Sequence, residues 1–184
     1  MNCPKCNGIF ETKLIGDIQV DSCTQCAGLW FEAGELSQAR ADLDRDVRWL
    51  DVDLFKDAEL VTITKNETRL CPVNRTPLAS VHYGPTQVVV DVCPDCRGIF
   101  MESGEFEKIL SELSNYVATL PEGELEHAAI KQAKEWIKGD KSRSAEWKDL
   151  KTVLRLLQYR VLIEHPKVRE TLLSLQSGLP TQYW

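Results

Sequence analysis

The chain has 184 residues, a length for one or two domains, and its 43% hydrophobic content supplies a core of ordinary size. No apolar run approaches the ~18 residues of a membrane span, and the N-terminus runs straight into Cys3 with no secretory signal. The net charge of −6 is uneven: residues 1–130 carry −11 and residues 131–170 carry +5, so the acidic part is a poor binder of phosphate backbone and any nucleic-acid contact falls to the C-terminal part.

The first predicted element is a pair of C-x-x-C turns. Cys3-Pro4-Lys5-Cys6 and Cys23-Thr24-Gln25-Cys26 are separated by sixteen residues. Two such pairs at this spacing point to zinc, which takes four thiolates in a tetrahedron. Pro4 stiffens the first turn, and Gly28 lets the chain leave the second without a Cβ clash. A thioredoxin-type redox pair needs one C-x-x-C on a βαβ pattern, whereas here two pairs bracket a hairpin. Seven cysteines without a secretory signal read as metal ligands in a reducing cytoplasm. Between the pairs, Ile9 to Ile15 alternates as a strand, Gly16-Asp17 turns, and Ile18 to Asp21 returns. Leu29-Trp30-Phe31 is a third short strand. Glu32-Ala33-Gly34-Glu35-Leu36 opens a helix to about Leu43, its acidic first turn matched to the helix dipole. Residues 42–69 form a connector with Trp49, Leu50, Leu54 and Phe55 among solvated charges.

Residues 70–106 repeat the unit. Cys71-Pro72-Val73-Asn74 aligns with Cys3 to Cys6 at an offset of 68, and Cys93-Pro94-Asp95-Cys96 aligns with Cys23 to Cys26 at an offset of 70. The second hairpin is therefore two residues longer, and the fold is duplicated. Asn74 stands where the first copy has Cys6, leaving Cys71, Cys93 and Cys96. Three outcomes are open: a metal-free ribbon held by packing, a site completed by water or Asn74, or a site completed by His82.

From Gly104 the chain reads as helix. Phe106, Ile109, Leu110, Leu113, Val117 and Leu120 keep the 3.6-residue period. Thr119-Leu120-Pro121-Glu122 has the form of a capping box opening a second helix, which ends at Gly139. A third helix starts at a Ser144 cap and is broken by Pro166. A short fourth helix carries Val168, Leu172 and Leu175. On the third helix Lys148, Lys151 and Arg155 fall within about 60° of one another at ~100° per residue. Leu156 and Ile163 lie off its main apolar stripe, as in a helix buried on two sides or placed at an oligomer interface. The chain ends on Tyr183-Trp184, a pair costly to leave in water.

Cys3-Pro4-x-Cys6, Val20-Asp21-x-Cys23-x-x-Cys26-x-Gly28-x-Trp30 and Gly34-Glu35-Leu36 together resemble the transcription-factor-type zinc finger called zf-TFIIB. The second copy keeps Asp91, Cys93, Cys96, Gly98, Gly104 and Glu105, with Phe100 for the aromatic and Asn74 for the missing cysteine. The resemblance covers residues 3–36 and 71–106 and implies a structural zinc ribbon.

The resulting expectation is an α+β chain, with two zinc-ribbon-like hairpin modules (1–41 and 70–106) followed by an all-α region (107–184). Cys3, Cys6, Cys23 and Cys26 hold one Zn2+, and Cys71, Cys93 and Cys96 are candidates for a second. Glu35 and Glu105 stabilise helix starts, and Trp30 and Phe100 are ribbon core rather than base-stacking platforms. The expected role is a non-enzymatic interaction module whose helical part meets a protein partner or a second copy. Nucleic-acid binding through the basic helices, and an enzyme or metal chaperone using the three-cysteine site, are the alternatives.

Overall fold

The computed structural model describes residues 1–50, 52, 54–55, 69–138 and 142–170. The chain divides into two compact units, Met1–Ala118 and Thr119–Trp184.

The first unit is built on one six-stranded antiparallel sheet. Its strands are β1 (Phe10–Ile15), β2 (Ile18–Cys23), β3 (Leu29–Phe31), β4 (Ala79–His82), β5 (Val89–Val92) and β6 (Ile99–Met101). Their order across the sheet, β1-β2-β3-β6-β5-β4, reads the same from either edge once the copies are superposed. Each copy thus contributes a three-stranded meander, and the two meanders join through their shortest strands. The join is two-fold in register: Trp30 pairs with Phe100, Leu29 with Met101 and Phe31 with Ile99. These are repeat-equivalent positions, so the contact has the self-complementary form of an isologous dimer within one chain. All six residues of the join are buried.

The outer strand β1 is exposed along most of its length, which accounts for its weak apolar alternation. In the longer second hairpin the turn spans Tyr83 to Val88, whose backbones close it at 2.9 Å, and Gly84 takes φ +54°.

Two helices complete the unit. Helix α1 (Glu35–Leu43) begins three residues later than the sequence indicates, because Gly34 at φ +88° turns the chain just before it. Helix α2 (Glu105–Thr119) follows Gly104 at φ +84° in the second copy. Phe106 of α2 packs on Phe31 of β3 with ring centroids 5.6 Å apart, so the second copy's helix covers the first copy's strand. From α1 the buried Arg40 donates to the Tyr83 hydroxyl (3.3 Å) and to the Leu50 carbonyl, tying the start of the connector to the second hairpin. In the connector Leu54 is buried and Phe55 lies under the Arg97 guanidinium, 4.8 Å from ring centroid to Cζ.

The second unit is an antiparallel helical pair, α3 (Glu122–Lys138) and α4 (Arg143–Glu164). Trp136 packs against Trp147 at one end, with centroids 5.3 Å apart and the rings tilted at 45°, and at the other end His165 Nε2 lies 3.1 Å from Glu122 Oε2. Leu125 and Ala129 of α3 and Leu150 and Val153 of α4 are buried.

Two further helix starts differ from the sequence reading. Thr119 is the last residue of α2, so it does not cap α3, which begins after Pro121. Ser142 rather than Ser144 holds the N-cap position of α4, without a side-chain bond to the helix backbone, and the two hydroxyls bond each other at 3.0 Å. Pro166 ends α4 as expected and opens a new helical turn. Leu172, Leu175, Tyr183 and Trp184 lie outside the described residues, as do 56–68 of the connector. Among the described residues no helix is long and apolar enough to cross a membrane.

Candidate metal centre

All four cysteine turns share one backbone design. The N–H of the first ligand position donates to the carbonyl five residues on, and the N–H four residues on donates back to its carbonyl. The pairs are Cys3 with Gly8 and Asn7, Cys23 with Gly28 and Ala27, Cys71 with Thr76 and Arg75, and Cys93 with Gly98 and Arg97. All eight distances are 2.8 or 3.0 Å. The residue after the second ligand position is left-handed each time: Asn7 at φ +61°, Ala27 at +53°, Arg75 at +66° and Arg97 at +60°. Such a conformation costs a non-glycine residue about 1 kcal/mol or more. Four of them are held so that the side chains of paired turns aim at one point.

At the first point sit Cys3, Cys6, Cys23 and Cys26, all sulfurs within 4.8 Å of one another. Cys3 Sγ is 3.6 Å from Cys26 Sγ, and Cys6 Sγ is 3.5 Å from Cys23 Sγ. A disulfide would hold its sulfurs at about 2.05 Å. Sulfurs at about 2.3 Å from a tetrahedral zinc stand about 3.8 Å apart. The observed spacing is far too long for a bond and close to a zinc edge. At the second point Cys71, Cys93 and Cys96 are likewise within 4.8 Å, with Cys71 Sγ 3.6 Å from Cys96 Sγ.

The electrostatics agree with a cation at each point. Burial pushes the Cys3 and Cys96 thiols up to about 12, and it also raises Cys26. Burial opposes ionisation of Cys23 as well, but N–H groups of Cys26 and Gln25 and the Cys6 thiol outweigh it and bring Cys23 down to about 7. Cys93 is lowered against burial in the same way, by the N–H groups of Cys96 and Asp95 and by the Cys96 and Cys71 thiols. The first cluster thus holds one sulfur, Cys23, supported as an anion beside Cys3 and Cys26, whose ionisation burial opposes, and the second holds Cys93 so supported beside Cys96. Further N–H donors are in place: Lys5 N lies 3.4 Å from Cys3 Sγ, and Val73 N lies 3.4 Å from Cys71 Sγ. Both donor sets fit Zn2+, with four sulfur ligands at the first point and three at the second.

The two sites share a wall. Cys3, Cys23, Cys71 and Cys93 are buried in one cluster with Trp30 and Phe100. A Cβ on Gly98 would stand 2.1 Å from the Trp30 indole, and a Cβ on Gly28 would stand 2.7 Å from the Phe100 ring. Each copy's aromatic lies over the other copy's glycine. Gly28 is therefore required by a ring arriving from about 70 residues away in sequence, and the left-handed turn residue beside it is Ala27. Trp30 and Phe100 are core, as expected.

An ion-pair network clasps the copies beside this wall. Lys5 Nζ reaches Glu102 Oε2 at 2.6 Å, and Arg69 bridges Glu102 (2.6 Å) and the buried Asp91 (2.7 Å). The bond from Lys5, followed by that from Arg69, holds the Glu102 carboxyl down at about 2. Sequence reasoning missed this clasp, because Arg69 lies just before the second copy and has no charged counterpart before the first.

Glu35 and Glu105 act as expected. Glu35 Oε2 accepts from Glu32 N at 2.8 Å and Glu105 Oε2 accepts from Glu102 N at 2.7 Å, closing the turn that opens each helix. His82 is not brought to the second site: it ends β4, and it belongs to neither sulfur group.

Comparison with known families gives a match to the model described as Transcription factor zinc-finger, over residues 2–42 and 70–112. Neither the curated proteins nor the solved structures gave a match.

Proposed function

Because residues 2–42 and 70–112 are tandem copies of the transcription-factor zinc-finger domain, the second lacking one cysteine, we propose that this chain is a non-enzymatic interaction module. Zinc sets the shape of the joined ribbons, and the helical unit provides the surface that meets a protein partner or a second copy. The cytoplasm, where thiols stay reduced, is the compartment this chemistry suits.

The observation that carries this reading is apolar surface on the helical pair. Ile130 and Ile137 of α3 are 53% and 76% exposed, and they are seven residues apart, on one helical stripe. On the same helical pair Trp136 and Trp147, with ring centroids 5.3 Å apart, are 40% and 47% exposed. Single exposed apolar residues need no explanation, whereas several on one helical pair, two of them tryptophans, have the composition of an interface anchor.

The test is crosslinking in cells of the full chain and of an Ile130→Glu/Ile137→Glu variant. The expected result is a crosslinked protein species, homodimer or heterodimer, that the variant loses while keeping its zinc content and helicity. An unchanged crosslinking pattern contradicts the reading. A second reading draws on exposed Lys148, Lys151 and Arg155 of α4. It expects nucleic-acid binding whose log affinity falls with log salt and which weakens in Lys148→Glu/Lys151→Glu.

A further inference from the structure

We propose that Asn74 is a metal ligand: its Oδ1 completes a second zinc site with Cys71, Cys93 and Cys96, in a set of three sulfurs and one oxygen. The inference rests on the zinc-ribbon reading and extends it to a residue the sulfur pattern leaves out.

Three observations place the Asn74 oxygen where a sulfur belongs. First, the turn that carries it is intact. Cys71 N donates to Thr76 O at 2.8 Å and Arg75 N to Cys71 O at 3.0 Å, matching the bonds around Cys3 at the same distances. Loss of the cysteine has not relaxed the strained residue beside it, since Arg75 keeps φ +66° against +61° for Asn7.

Second, the oxygen stands one tetrahedral edge from a sulfur of the site. Asn74 Oδ1 is 3.6 Å from Cys93 Sγ, and in the first copy Cys6 Sγ is 3.5 Å from Cys23 Sγ. With zinc–oxygen at about 2.1 Å and zinc–sulfur at about 2.3 Å, a tetrahedral angle sets the oxygen–sulfur edge at about 3.6 Å.

Third, the oxygen takes the kind of hydrogen bond that ligand sulfurs of these turns take. In the first turn of each copy, Cys3 Sγ accepts from the Lys5 N–H and Cys71 Sγ from the Val73 N–H, each at 3.4 Å and two residues on. Thr76 N donates to Asn74 Oδ1 at 3.1 Å, again two residues on. An amide oxygen has two lone pairs, so one remains for the metal. The backbone donor also fixes which end of the amide faces the sulfurs, because the amide nitrogen could not accept it.

An amide oxygen is neutral and harder than a thiolate, so the second ion is bound more weakly than the first and the site carries one negative charge fewer. With the vertex filled from the protein, no position is left open for a substrate, in contrast to a catalytic zinc with three protein ligands.

The experiment is Co2+ titration of the reduced, metal-free full chain, followed by near-ultraviolet sulfur-to-cobalt absorption and the visible tetrahedral bands. Two ions per chain are expected in two steps. The first should bring four units of sulfur absorption and the second three, with its visible bands at higher energy. Asn74→Ala should weaken the second step at least tenfold and leave the first untouched. Asn74→Asp should restore it, and Asn74→Cys should make the second step spectroscopically like the first. A single step saturating at one ion overturns the proposal, as does a second step that Asn74→Ala does not alter. The first step is the internal reference: its absence counts against the four-sulfur site itself, and its presence without the second counts against Asn74 alone.

Discussion

Gly98 and Gly28 show how a single residue is set by a partner far along the chain. Adding a Cβ at Gly98 drives it to 2.1 Å from Cζ2 of the Trp30 indole, while at Gly28 it meets the edge of the Phe100 ring at the longer distance of 2.7 Å. Overpacking a close-packed core typically costs about 1–3 kcal/mol, and more where nothing can move. Gly98→Ala is therefore expected to destabilise the first unit by about 3 kcal/mol and Gly28→Ala by about 1–2 kcal/mol, measured by denaturant unfolding of the zinc-loaded chain. Equal effects, or a milder Gly98→Ala, would contradict the exchange of rings. Glu102 carries a second prediction at this scale. Its folded pKa is about 2 against an ordinary 4.5, so its contribution is complete above pH 4.5 and fades as the pH falls towards 2. Because the carboxylate is about one-third exposed, solvent screening limits that contribution to about 1 kcal/mol. The stability gap between wild type and Glu102→Gln should be constant above about pH 5 and close on acidification, with acid release of zinc affecting both proteins alike. A gap that widens towards low pH would contradict the assignment.

At the scale of the element, the helix starts show a device used twice. A left-handed glycine halts the strand, and the glutamate after it turns back to accept the N–H three residues earlier. Replacing that acceptor leaves a backbone donor unpaired at a helix entry, a loss of about 1 kcal/mol. Glu105→Ala is expected to lower the melting temperature by a few degrees and to increase amide exchange in the first turn of α2, while metal content stays unchanged. Unaltered exchange in that turn would contradict the role. The elements were largely legible in the sequence because their causes are local: turn residues, period-two hairpins, the apolar stripe of α2. The missed starts have local causes too. Gly34 at φ +88° delays α1, and Thr119 is taken up as the last residue of α2.

Across the first unit as a whole, the ribbon is a pair. The two sulfur clusters could be read from spacing alone, since each cysteine turn is set by six consecutive residues. The join of β3 to β6 could not, because nothing near Trp30 announces that its strand partner is Phe100. The repeated glycine-x-aromatic signature was visible and has its explanation in that join. Arg69, Lys5 and Glu102 come together only after it forms, so the clasp follows from the join and not from either copy. The joined sheet buries cysteines of both sites with Trp30 and Phe100 in one cluster, so loss of metal from one copy should be felt in the other. Cys23→Ser is expected to weaken metal retention in the second copy as well as the first, read as zinc content and as melting of the whole first unit in a single transition. Independent melting of the two copies would contradict the shared wall.

Everything at the three scales depends on Cys3, Cys6, Cys23 and Cys26 gripping one ion that organises the first ribbon. The most direct measurement is amide hydrogen exchange across residues 1–43 of the reduced chain, with zinc counted in the same samples before and after a strong chelator. The predicted result is at least one zinc per chain, with protection in β1–β3 that collapses when the ion is withdrawn. Metal-free protein with the same protection, before and after the chelator, would contradict it.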